Sequence, residues 1–166
     1  MLEKPNRPWT CADAAELYHL DRWGRKFFSV DSEGYLTVKS NDFAEKNLRI
    51  SEVVNHFTEK GQSPPMIVRF PGIIEQRTEQ INRAFQSAIN SYGFQGKYHL
   101  FYPVKVNQHF EVIEAAIQAG AKWGGGLEAG SKAELLAVIA MAKPETKLLC
   151  NGFKDKTVVE MALRAL

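Results

Sequence analysis

The sequence predicts an α/β fold with a parallel sheet, entered through a short, turn-rich segment that carries a β-hairpin. Three observations predict it. From Met66 onward, short apolar runs of β type alternate four times with runs of helical period. Glycines stand where two of those helical runs stop, at Gly93 and Gly120. Residues 1–60 lack this alternation and are irregular and aromatic. The two zones are separated by Gly61-Gln62-Ser63-Pro64-Pro65, in which neither proline donates a backbone hydrogen bond. The expected division is therefore an N-terminal segment over 1–61 and a strand–helix region over 62–166.

In the first zone, Trp9–Tyr18 reads as a short helix with Thr10 or Asp13 as its N-cap. Phe27–Val30 and Tyr35–Val38 alternate as strands, and Asp31-Ser32-Glu33-Gly34 between them is a hairpin turn. A second helix is expected near Phe43–Thr58. In the second zone, Met66–Phe70 reads as a strand. Ile74, Ile81, Phe85, Ala88 and Ile89 then mark a helical face. His99–Val106 is the next strand, followed by a helix carrying Val112, Ile113, Ala116 and Ile117 on one face. Trp123–Glu128 is a third strand or strand end. Leu135–Met141 is a helix apolar nearly all round, hence expected to be well buried. Thr146–Cys150 is the fourth strand, and Thr157-x-x-Glu160 has the pattern of a capping box opening a last helix. Successive strand–helix units imply parallel strands with right-handed crossovers.

Composition excludes several function classes. A net charge of +2 gives no electrostatic footprint for nucleic acid, so no such partner is expected. No stretch approaches a membrane span, and the polar start from Met1 to Pro8 has no apolar signal core. Cys11 and Cys150 have no Cys-x-x-Cys or Cys/His spacing, which argues against a zinc site and fits a reducing, cytoplasmic setting. Each reads as a small, buried hydrophobe.

The most informative residues are Phe101-Tyr102-Pro103-Val104-Lys105-Val106-Asn107-Gln108. A lysine near the end of a buried strand is costly to desolvate, and a chain keeps one there mainly when the amine has a task, such as attacking a carbonyl cofactor. If the strand runs through Val106, Pro103, Lys105 and Asn107 share one face, and Tyr102, Val104 and Val106 the other. Pro103 conflicts with a central strand and points to a local distortion. The structural alternative for Lys105 is a snorkelling strand-end lysine. His109 suits a helix start better than the site. Two glycine patterns fail as nucleotide motifs. Gly125–Lys132 reverses the last two residues of a phosphate loop and puts Glu128 among its amides. Gly124-Gly125-Gly126 lacks the dinucleotide spacing. Tight backbone packing explains both better.

A parallel sheet of this kind is either an open, doubly wound sheet or half of an eight-unit barrel. Four units cannot close such a barrel, and the pattern stops within the fourth helix. A longer protein is therefore expected, with the 166-residue piece alone inactive, edge-exposed and poorly soluble.

Phe101–Gln108, Gly126-Leu127-Glu128-Ala129-Gly130-Ser131-Lys132-Ala133-Glu134-Leu135 and Cys150–Asp155 resemble successive motifs of the alanine-racemase-like, fold type III class of pyridoxal-phosphate enzymes. Within that class, Trp9-Thr10, Glu16–Tyr18, Trp23-Gly24 and Phe28–Asp31 are similar to the opening segment of the biosynthetic arginine decarboxylase subfamily. The resemblance implies the first half of a (β/α)8 TIM-type barrel, preceded by a segment of a separate β domain. It implies that Lys105 holds pyridoxal 5'-phosphate covalently. It also places Glu128 and Glu134 at acidic positions that can tune the lysine's proton state. A capping box with Ser131 as N-cap is an adequate structural role for Glu134. The implied reaction is decarboxylation of L-arginine to agmatine at the head of a polyamine route, by a homo-oligomer that uses magnesium. No residue here is expected to bind that metal. The phosphate loop, the substrate pocket and the second-domain catalytic residues of such enzymes fall beyond residue 166. Decarboxylases of ornithine or diaminopimelate, and a non-catalytic cofactor carrier, share the barrel and remain alternatives.

Overall fold

In the computed structural model, which describes residues 7–40 and 47–165, the chain is a mixed α/β protein. It divides into two compact units, Met1–Phe70 and Pro71–Leu166.

The first unit is built on α1 (Cys11–Leu17), α2 (Leu20–Trp23), β1 (Phe28–Val30), β2 (Leu36–Val38), β3 (Leu48–Arg49) and α3 (Ile50–Glu59). Thr10 is the N-cap of α1. Its hydroxyl accepts from the Asp13 amide, and the Asp13 carboxylate accepts from the Thr10 amide, a reciprocal capping box. β1, β2 and β3 form an antiparallel sheet in that order. Asp31 organises the expected hairpin turn. One carboxylate oxygen accepts from the amides of Glu33 and Tyr35, and the other from Arg49 Nε at 2.6 Å. Gly34, at φ 90°, supplies the left-handed turn position. The helix expected from Phe43 starts only at Ile50, because Leu48 and Arg49 pair with β2 instead. Its expected first residues, 43–46, lie outside the described residues. Tertiary pairing has overridden a helical pattern.

The second unit comprises α4 (Pro71–Tyr92), β4 (Phe101–Pro103), a 3-10 turn (Val104–Val106), α5 (Phe110–Ala121), β5 (Gly126–Ala129), α6 (Lys132–Met141), β6 (Lys147–Cys150) and α7 (Lys156–Arg164). β4, β5 and β6 are parallel and adjacent, with Phe101 beside Gly126, Pro103 beside Glu128, and Ala129 beside Cys150. Met66–Phe70 is not a strand, so three of the four expected strands form among the described residues. Ile67 is 79% exposed, while Met66, Val68 and Phe70 are half-buried without ladder pairing and Phe70 meets the Phe28 ring edge-on.

Alternation on β5 separates two faces. Leu127 and Ala129 point into a core shared with Val104, Ile113, Ile117, Leu135, Val138 and Val158. Gly126 and Glu128 point the other way. The apolar helix α6 is buried only at Leu135 and Val138, and Leu136 is 60% exposed, which corrects the expectation of all-round burial. Helix α5 runs one residue past Gly120, and the left-handed residue in the connection is Gly124.

Helix α7 is capped by Asp155, not by the expected Thr157, which lies inside the helix. Asp155 accepts from the Val158 amide at 3.0 Å, and its other oxygen meets Lys132 Nζ at 2.6 Å. The Lys132 hydrogen bond, then the Val158 amide, hold this carboxyl below the usual aspartate range. A depressed folded-state pKa contributes stability above the unfolded value of about 3.9, and that contribution is lost as pH falls through the folded value. Protection of the Val158 and Val159 amides from hydrogen exchange, taken relative to the intrinsic rate at each pH, is therefore expected to fall on acidification below about pH 4. Asp155→Asn keeps a cap acceptor without the charge and should flatten that dependence.

Candidate active site

The lysine singled out by the sequence sits where a strand gives way to a turn. β4 ends at Pro103, whose missing N–H costs little on a strand that is at the edge among the described residues. Its φ of −77° and ψ of 112° lead into the 3-10 turn that carries Lys105. This replaces the expected strand through Val106. Val104 is fully buried in the core, whereas Val106 is 69% exposed, so the two do not share a strand face. The Tyr102 phenol is half-buried against the core and donates to the Asn107 carbonyl at 3.1 Å, tying the strand to the residue after the turn. Desolvation pushes that phenol's pKa up and keeps it a donor. His109 is the N-cap residue of α5, and its amide donates to Asn107 Oδ1 at 3.0 Å.

Lys105 is not buried. Its side chain is 62% exposed, and its amine lies 4.0 Å from Glu128 Oε1, whose side chain is 19% exposed. Register explains the meeting. Glu128 pairs with Pro103, so the carboxylate stands beside the end of β4, where the turn begins. The cost of burying a lone ammonium, expected from sequence, is avoided by leaving the amine in solvent beside one carboxylate.

Glu134 is not part of that pair. Ser131 caps α6 as expected, with its hydroxyl accepting from the Glu134 amide at 3.2 Å. The Glu134 carboxylate accepts from the Gly130 amide at 2.8 Å, one residue before the N-cap that a capping box would use. It fixes the loop after β5. Sequence reasoning assigned no role to Asn151, although it quoted the motif containing it. Asn151 Nδ2 donates to Glu128 Oε1 at 3.1 Å. Its amide donates to the Ala129 carbonyl at 2.8 Å, beside the end of β5.

The arrangement is an accessible amine, a neighbouring carboxylate and two ordered loops at the carboxyl ends of adjacent parallel strands. An accessible primary amine in this place fits covalent capture of an aldehyde, and the carboxylate is placed to orient it. Residues 78–165 match the model of the pyridoxal-dependent decarboxylases, pyridoxal binding domain. This chain belongs to that family.

Similar proteins narrow the comparison. The chain is 41% identical over 161 residues to a biosynthetic arginine decarboxylase of Prochlorococcus marinus (strain MIT 9303), covering 96% of this chain and 25% of that one. It is 36% identical over 157 residues to one of Rhodopirellula baltica, covering 95% and 24%. The crystal structure of the biosynthetic arginine decarboxylase of Campylobacter jejuni matches with a TM-score of 0.80 and 31% identity, over 89% of this chain and 24% of that one. The chain thus spans about a quarter of the length of the curated relatives it matches.

Proposed function

We propose that this chain is the N-terminal part of a pyridoxal-phosphate-dependent decarboxylase that converts L-arginine to agmatine and carbon dioxide, supplying a polyamine route. The observation that carries the reading is the Lys105–Glu128 pair at adjacent strand ends, in a chain whose relatives bear that name. The three parallel strands are read as belonging to the first half of a (β/α)8 barrel, with residues 1–61 as a segment of a separate β domain. In barrels of that type the carboxyl ends of the strands carry the site.

Lys105 would hold the cofactor through its amine, and its exposure leaves room for substrate to displace it. When bound, pyridoxal phosphate supplies an electron sink for the pair released as carbon dioxide departs. Glu128, 4.0 Å from the Lys105 amine, orients it. Glu134 and Ser131 hold the loop that follows Glu128. Nothing in these roles needs a metal. Among the described residues no group of three or more His, Cys, Asp or Glu side chains could hold one. The same resemblance extends the reading to a cytoplasmic homo-oligomer that uses magnesium. Two free cysteines are compatible with that compartment, and no helix among the described residues is long and apolar enough to cross a membrane.

The test is release of labelled carbon dioxide by the full-length protein from L-arginine, L-ornithine and diaminopimelate in parallel. Arginine is expected to be favoured by about 10,000-fold or more in kcat/KM, the scale reached by a pocket that hydrogen-bonds its substrate. Preference for another of the three would move the specificity, and cofactor binding without release from any would make this a carrier.

A further inference from the structure

We propose that Asn151 is a positioning residue that holds the Glu128 carboxylate in place beside Lys105. The inference rests on the Lys105 site put forward above and adds a residue from a different loop to it.

Both ends of the Asn151 amide are used. Nδ2 donates to Glu128 Oε1 at 3.1 Å, the same oxygen that lies 4.0 Å from the Lys105 amine. Oδ1 accepts from the Gly152 amide at 2.8 Å. Flipping the amide would set an acceptor against a carboxylate and a donor against an N–H, so only one orientation is satisfied. The residue is itself fixed by its backbone. Its amide donates to the Ala129 carbonyl, continuing the β5–β6 ladder by one step past Cys150.

The next residue locks the loop. Gly152 has φ 81°, and a Cβ there would lie 2.4 Å from the Gly130 carbonyl oxygen. Gly130 is in turn held by the Glu134 carboxylate through its amide. A continuous chain of contacts therefore runs from Glu134 through Gly130 and Gly152 to Asn151, Glu128 and Lys105. In this arrangement Glu134 acts on the lysine by setting the loop against which Asn151 is placed. A carboxylate with one oxygen tied to a fixed donor samples fewer rotamers, so its field at the Lys105 amine is steadier and stronger on average.

The experiment reads the Lys105 amine without the cofactor. Full-length protein is pulse-labelled with acetic anhydride at fixed pH, and acetylation of Lys105 is quantified by peptide mass spectrometry against exposed Lys60. Glu128→Gln removes the charged partner that holds the Lys105 amine, so it should raise the Lys105 rate about threefold. Asn151→Ala should raise it in the same direction by up to that factor. In the Glu128→Gln background, Asn151→Ala should add nothing, because its route to the lysine is gone. A structural disturbance of the loop would act equally in both backgrounds, and that result overturns the proposal. So does an Asn151→Ala rate equal to that of the unsubstituted protein. If Asn151→Ala fails to fold, Asn151→Ser keeps a short acceptor for the Gly152 amide but cannot reach Glu128, and the same non-additivity is required of it. Separately, pyridoxal phosphate followed by borohydride should modify Lys105. Its failure to do so would remove the proposed cofactor role while leaving the acetylation cycle to decide the role of Asn151.

Discussion

On the proposed function, replacing Lys105 with alanine in the full-length protein is expected to abolish covalent attachment of pyridoxal phosphate and lower arginine decarboxylation by a thousandfold or more, on the order of what loss of a nucleophile or proton carrier removes. The expected magnitude follows from position. Lys105 stands alone on a short turn at the end of β4, with its amine in solvent and Glu128 beside it. Lys105→Arg separates two explanations. A guanidinium keeps the positive charge near Glu128 but stays protonated and cannot condense with an aldehyde. If attachment is what matters, the arginine variant should be as inactive as the alanine variant while retaining the thermal stability of the unsubstituted protein. If the ion pair is what matters, the arginine variant should recover much of the activity. Loss of the cofactor's long-wavelength absorbance and peptide mapping after borohydride reduction measure attachment directly, and a modified lysine elsewhere would defeat the assignment.

The elements that sequence made readable are those fixed by local chemistry. Thr10 with Asp13, the Asp31–Gly34 turn, Ser131 before α6 and the long α4 all follow from capping, turn and periodicity rules acting within a few residues. The departures arise where a distant contact decides. Val104-Lys105-Val106 has an alternating pattern that suits a strand, yet ladder pairing stops at Pro103 and Glu128, so the chain is free to turn. Period alone cannot distinguish three residues of strand from three of 3-10 helix. The apolar run in α6 signals hydrophobicity but not which neighbour covers it, and Leu136 remains outside the core cluster. Lys105 and Glu128 were both singled out from sequence, and register brings them together. Asn151 was passed over because its partner is 23 residues away and is reached only through the β5–β6 register, a relation that no local pattern encodes.

Gly126→Ala tests the sheet on which that register depends. A Cβ at Gly126 would lie 2.0 Å from the Lys147 carbonyl oxygen and 2.8 Å from Phe101 Cε1. The aromatic ring can rotate aside, but the carbonyl belongs to β6, whose Lys147 is the register partner of Gly126. Relief therefore requires β5 and β6 to separate at their first paired residue. The expected cost is about 3 kcal/mol, at the upper end for overpacking because the obstructing atom is backbone. A fall in the urea midpoint at unchanged slope would measure it. Gly125 offers a comparison, since a Cβ there would meet the Leu100 carbonyl oxygen at 2.7 Å, a less severe approach. Gly125→Ala should destabilise less. Equal stability of Gly126→Ala and the unsubstituted protein would contradict the close approach of β5 and β6 at Gly126. The same substitution bears on chemistry. Glu128 lies two residues along on the same face, so a displaced β5 should also weaken the Glu128–Lys105 pairing and raise acetylation of Lys105 even in molecules that remain folded.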